Sequence, residues 1–196
     1  MIDPRVTLKV LILALAAGYA TSPPARAQPV EAPEVLGDAD QLLNRLSTLT
    51  PADAEEADRL AREIRERWTH SGSAAMDLLL RRGQDAIEAG EYDRAVVHLT
   101  ALTDHAPGFA EGWNQRATAF FLQDRYGEAL GDIEQALILE PRHFGALTGL
   151  GVILEQLGEP EAALRAFRAV QAINPAEPQV NDAVDRLELQ TGGRTL

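Results

Sequence analysis

The sequence has no cysteine, a single lysine at Lys9, and only 5% aromatic residues, so Ala and Leu carry most of its apolar share. Without cysteine the chain has neither a disulfide nor the thiol that a bacterial lipoprotein-type anchor needs, and a domain of this size must rely on its core. An Ala- and Leu-rich composition suits closely packed helices better than sheet. Basic groups are outnumbered 18 to 30, giving a formal net charge of −12. That sign argues against non-specific binding to nucleic acid or to an anionic lipid surface, both of which need a basic face. Beyond this, excess carboxylates simply keep a surface solvated.

Recognisable chemistry is scarce too. His70, His98, His105 and His143 have no second His or Cys at ligand spacing, and no His-Glu-x-x-His occurs, so no metal is expected. His105 and His143 read as cations near helix C-terminal ends, where they are favoured. Ser71-Gly72-Ser73 lacks the Gly-x-Ser-x-Gly frame of a nucleophile elbow, and no glycine-rich phosphate loop appears. No pair of carboxylates stands out as the facing acid and base of glycoside chemistry. The expectation is a protein without cofactor and without catalytic activity.

What is present begins with a leader. Arg5 and Lys9 precede the apolar run Val10 to Ala20, and Ala25-Arg26-Ala27 is a small-x-small cleavage site after Pro23-Pro24. Residues 1–27 read as a signal peptide, too short in its apolar part to span a bilayer, and the mature chain reads as periplasmic with no stable membrane insertion. Its removal takes Arg5, Lys9, Arg26 and Asp3, moving the net charge from −12 to −14 and leaving no lysine. Residues 28–37, with Pro29 and Pro33, read as a flexible lead-in. Residues 38–73 read as a helical hairpin: Asp38 or Asp40 caps a helix carrying Leu42, Leu43, Leu46 and Leu49, and Thr50-Pro51-Ala52-Asp53 starts a second with Ala57, Leu60, Ala61, Ile64 and Trp68 on one face. Its place is expected to be an N-terminal cap on a helical array that starts near Met76.

From Met76 onward one pattern recurs. Gly90-Glu91-Tyr92-Asp93-Arg94-Ala95, Asp124-Arg125-Tyr126-Gly127-Glu128-Ala129 and Gly158-Glu159-Pro160-Glu161-Ala162-Ala163 lie 34 residues apart, and Pro107, Pro141 and Pro175 keep the same step. Such a period marks helix pairs that cannot bury their apolar faces alone and are stabilised by stacking. Gly83, Ala117 and Gly151 in first helices, and Ala95, Ala129 and Ala163 in second helices, are small where helix axes must approach. The fold class read from this is all-α: an α-solenoid of units 76–109, 110–143 and 144–177, with residues 178–196 as a C-terminal capping helix, about Gln179 to Gln190, and a loose tail.

These units resemble tetratricopeptide repeats. The second carries Trp113, Ala117, Phe120, Tyr126, Ala129, Ala136 and Pro141 in the family's order; the third has Leu147, Leu150, Gly151, Ala163, Phe167 and Pro175. The first has Leu79, Gly83, Tyr92, Ala95 and Pro107, but Arg82 stands where Leu is usual and Leu102 where a small residue is usual. The resemblance implies a concave groove lined by first helices, here Leu80, Gln84 and Ile87, then Glu111, Asn114, Thr118 and Phe121, then Thr148, Val152 and Glu155, which binds a protein or peptide partner. Chaperone-binding members hold a C-terminal carboxylate with Lys, Arg and Asn; Leu80, Gln84, Gln115, Gly145 and Gly149 stand at those places, so that clamp is absent. An apolar floor with a few amides and acidic edges suits a segment with hydrophobic anchors. The expected function is a non-enzymatic periplasmic scaffold in cell-envelope assembly; the alternatives are a self-associating structural protein, or an envelope hydrolase or its activator using groove carboxylates such as Glu111 or Glu155.

Overall fold

A computed structural model describes residues 35–192, with side chains from 39 onward; the signal-peptide reading of 1–27, residues 28–34 and residues 193–196 lie outside the described residues. The chain forms α1 (Val35–Leu46), a single 3-10 turn at Pro51–Asp53, α2 (Ala54–Trp68), α3 (Ala74–Glu88), α4 (Tyr92–His105), α5 (Ala110–Phe121), α6 (Tyr126–Leu139), α7 (Phe144–Gln156), α8 (Pro160–Ile173) and α9 (Pro178–Gly192), with no strand among the described residues. It is an all-α solenoid. Helices pair as α3 with α4, α5 with α6 and α7 with α8, while α4 meets α5, α6 meets α7 and α8 meets α9.

The repeated turn has one backbone solution. Gly90, Asp124 and Gly158 take positive φ, 73°, 58° and 77°. The next residue's N–H then reaches back to the last turn of the first helix: Glu91 to Ala86, Arg125 to Phe120 and Glu159 to Leu154, at 2.8 to 3.0 Å. These are left-handed caps that satisfy carbonyls the helix leaves open. Asp124 substitutes for Gly, and its carboxylate accepts the Tyr126 hydroxyl at 2.8 Å, which raises the phenol's pKa above the ordinary value. Small residues then let the paired helices close. A Cβ at Gly83 would lie 2.5 Å from Leu99 Cγ, and one at Gly151 2.7 Å from the Phe167 ring.

The hairpin departs from expectation. Its apolar residues Leu43, Leu46, Ile64 and Trp68 join the cluster of Phe144, Leu164, Phe167, Val170 and Ile173 with Val180, Val184 and Leu187 of α9, and no hairpin residue belongs to the first repeat's cluster of Leu80, Ala95, Leu99 and Leu102. It therefore closes against the third repeat rather than capping the first. The reason lies in its polar rim as much as its stripe: Trp68 stacks on His143 with centroids 4.2 Å apart, and Arg142 bonds Asn44 Oδ1 at 2.8 Å and pairs with Asp40. The start of α1 at Val35 also corrects the lead-in of 28–37 and places Asp38 and Asp40 inside a helix instead of at its cap. The second restart signal acts locally, since Asp53 Oδ2 accepts both the Thr50 backbone N–H, at 3.0 Å, and the Thr50 hydroxyl, at 2.7 Å. At the other end, Thr191 and Gly192 continue α9 rather than forming a tail.

Candidate functional groove

Of the residues expected in the groove, Asn114, Thr118 and Phe121 on α5 and Thr148 and Val152 on α7 line one cavity of about 200 Å³, completed by Ala117, Ile133, Gly145, Gly149 and Ile153. The cavity exists because α7 carries glycine one turn apart. A Cβ at Gly145 would find its nearest neighbour at 3.4 Å and one at Gly149 at 3.6 Å, so neither backbone is pressed by a partner helix. Phe121 closes one wall and tilts onto Tyr126 at 5.8 Å. Thr118 and Thr148 each donate the hydroxyl hydrogen to a carbonyl four residues back, Asn114 O at 3.1 Å and Phe144 O at 2.8 Å.

The remaining five residues stand elsewhere. Leu80 is 1% exposed and belongs to the core of the first repeat, against which Ile87 also packs, so Leu80 is corrected from groove to core. Gln84 is half-buried on α3. Glu111 is buried and fully engaged: Oε2 accepts from His143 Nε2 at 2.9 Å and Asn114 Nδ2 at 3.1 Å, and Oε1 from Gln115 Nε2 at 2.6 Å. Glu155 forms a bidentate pair with Arg186 of α9, at 2.5 and 3.1 Å, and that carboxylate raises the guanidinium pKa. The acidic edges expected of the groove are thus engaged within the chain, Glu155 by a cation and Glu111 by neutral donors.

His143 was invisible as the centre of this arrangement. It lies at the N-cap of α7, not at a helix C-terminus, and Nδ1 accepts the Ala146 N–H at 3.1 Å. An N–H can only donate, so the ring proton sits on Nε2 and is given to Glu111. A chain of contacts therefore runs from Trp68 of the hairpin through His143 and Glu111 to Asn114 in the groove. The opposite side of α5 is fixed by Arg116, which makes a fork onto Asp132 (2.7 and 2.8 Å), bonds Thr103 and Thr100 (2.8 and 3.2 Å), and lies 4.9 Å from the Trp113 ring centroid. Neither centre had a local signal, because the contacts that define each are distant in the chain: His143 with Glu111 across 32 residues, and Arg116 with Thr103 and Asp132 across 13 and 16. Among the described residues no group of three or more His, Asp or Glu is placed to hold a metal, and no helix is long and apolar enough to cross a membrane.

The family model for the tetratricopeptide repeat matches residues 80–138 and 123–178. A TPR repeat-containing protein of Rhizobium etli is 38% identical over 157 residues, covering 80% of this chain and 76% of that protein. The chain is a tetratricopeptide repeat protein. Other family relatives match more narrowly: small glutamine-rich tetratricopeptide repeat-containing protein 2 of Saccharomyces cerevisiae is 27% identical over 130 residues, and this chain spans 37% of its length. Among solved structures, the first TPR of Spaghetti (RPAP3) bound to an HSP90 peptide has a TM-score of 0.59 at 21% identity, covering 61% of this chain and 95% of that one. The Yersinia enterocolitica type III secretion chaperone SycD in complex with a peptide of the translocator YopD has a TM-score of 0.57 at 14% identity, covering 61% of this chain and 96% of that one. At these identities the likeness shows the TPR fold and leaves the groove to be read from its own residues.

Proposed function

We propose that this TPR protein is a non-enzymatic scaffold of the periplasm that binds a protein or peptide segment in the groove between α5 and α7 during cell-envelope assembly. The observation that carries this reading is the cavity lined by Asn114, Thr118, Phe121, Thr148 and Val152, open between two first helices and rimmed by uncharged polar groups. A tight repeat array has no structural need for such a hole, since voids forfeit dispersion contacts. Support comes also from the peptides held by the RPAP3 and SycD repeats. The periplasmic part rests on the leader-like residues 1–27. Glu111 and Glu155 are engaged in internal bonds, which favours a binding role for the groove over a hydrolytic one.

In-cell crosslinking followed by pull-down from periplasmic and cytoplasmic fractions tests this. The double variant Asn114→Ala, Phe121→Glu, checked for unchanged helicity and melting, is expected to lose specific proteins that the wild type recovers from the periplasm. Recovery of the same proteins by both would reject the groove, and recovery of the chain only from the cytoplasm would reject the location. Self-association is a second reading, favoured by one feature: Ile138 and Leu139 on α6 are 64% and 40% exposed. Ile138 lines a crevice of about 320 Å³ together with Leu130, Ile133, Glu134, Leu137 and Leu150. Sedimentation that shifts with protein concentration, and is restored to monomer by Ile138→Glu, would support it.

A further inference from the structure

We propose that the cavity between α5 and α7 is occupied by the side chain of a lysine from the partner segment, an inference that rests on the groove reading above. The cavity, of about 200 Å³, has room for one side chain, and Ala117, Phe121, Ile133, Val152 and Ile153 give it an apolar share of its lining. Its polar groups are biased toward acceptance. The hydroxyl hydrogens of Thr118 and Thr148 are committed to their own helix carbonyls, which leaves both oxygens with lone pairs and nothing to donate. Asn114 turns its amide nitrogen to Glu111, because a carboxylate can only accept; this uses one of its two N–H bonds and leaves Oδ1 an unengaged acceptor, so the set offers three acceptor oxygens against one spare N–H.

An occupant with an apolar stem and a donor-only head matches this set. Lysine is that side chain: four methylenes, three donors and no acceptor, with a stem that is buried while the head stays near water. Arginine is a poorer match, because its planar fork is suited to two coplanar oxygens of one carboxylate, whereas the acceptors here come from three residues on two helices. Long-range charge favours the same choice. The chain has a net charge of −12, so a basic segment is drawn to it and an acidic one repelled. Glu155 is already paired with Arg186, and Glu111, bonded to the neutral His143 ring, Asn114 and Gln115, keeps its negative charge behind Asn114, so the head group is held by neutral oxygens in a negative field rather than by a direct ion pair. This is the opposite polarity from a groove built to grasp a C-terminal carboxylate.

The test uses the purified protein and two small probes, Nα-acetyl-lysine methylamide and Nα-acetyl-norleucine methylamide, which keeps the apolar stem and lacks the ammonium group, titrated while the backbone amides of Ala117, Thr118, Gly145 and Gly149 are followed by NMR. The lysine probe is expected to shift these amides saturably and to bind at least about fivefold more tightly than norleucine, as one or two net hydrogen bonds supply. Thr118→Val, Thr148→Val should erase most of that preference without changing melting, and Gly149→Leu should abolish binding of both probes. Equal or tighter binding of norleucine would overturn the proposal and leave the cavity an apolar anchor; an absence of shifts with either probe would overturn it as well. Neither result touches the groove reading, which stands or falls with the pull-down of the Asn114→Ala, Phe121→Glu variant.

Discussion

Gly151 and Gly149 lie two residues apart on α7, yet a Cβ at Gly151 would meet the Phe167 ring at 2.7 Å, while one at Gly149 would meet only Ile133 Cδ1, at 3.6 Å. One face of α7 has lost its side chain so that α8 can approach. The other has lost its side chains, at Gly145 and Gly149, with no helix arriving to use the space. The first face makes the repeat; the second makes a hole beside it. Composition alone cannot tell these apart, since all three glycines sit within one 13-residue helix. The difference is one of neighbours, and it separates residues that hold the fold from residues available to a ligand.

This contrast requires α5 to be a rigid wall, and the largest expected effect tests that. Asp132→Ala leaves the Arg116 guanidinium, 14% exposed, without its carboxylate, and should destabilise by about 3 to 5 kcal/mol in a denaturant titration. A loss below about 1 kcal/mol would mean that Arg116 is solvated and that the wall is not fixed by it. On the packed face, Gly151→Ala must displace Phe167 and is expected to cost about 1 to 3 kcal/mol. On the open face the sign reverses: Gly149→Ala gains helix propensity with ordinary contact distance and should stabilise by up to about 1 kcal/mol. Equal shifts for the two alanines, measured in one melting series, would erase the distinction between the faces.

The smallest effect lies far from α7 and serves as its control. Thr50 holds the Asp53 carboxyl below its ordinary pKa, first through the Thr50 hydroxyl and then through the backbone N–H. A depressed folded pKa contributes stability above the unfolded-state value and loses it as pH falls through the folded one. Thr50→Ala should therefore flatten a shallow acid limb below about pH 4 without altering any groove measurement. A change in groove binding would show that the hairpin and groove are coupled more tightly than the Trp68–His143 contact implies.

Much of the fold was legible because repetition is a property of sequence. The 34-residue step, the small residues at helix crossings and the left-handed turn positions all recur in register, and the structure realises them as paired helices with three like turns. The hairpin's seat was not legible. Leu43, Leu46, Ile64 and Trp68 announce a buried face but not its partner, which lies about 75 to 100 residues away at Arg142, His143 and Phe144. For the groove, the resemblance to tetratricopeptide repeats placed Asn114, Thr118, Phe121, Thr148 and Val152 on one side, and the structure gathers them around the cavity. It failed for Glu111 because an acidic residue reads as exposed until a histidine 32 residues on is known to cover it. It failed for Leu80 because, one turn from the packing stripe, core and groove look alike. Gly145 and Gly149 were legible only as missing clamp residues, whereas their role is to leave the hole.

If this hole is where a partner binds, a crosslinker placed in it must capture that partner. The most direct measurement places a photocrosslinking amino acid at Thr118, which is exposed and lines the cavity, and in a second strain at Gly131, which is exposed on α6 with nothing within 4 Å of its Cβ position. The expected result is a discrete adduct from Thr118 that disappears with Gly149→Leu, and none from Gly131. Adducts from Gly131 alone, or adducts from Thr118 that persist when the cavity is filled, would contradict binding in the hole.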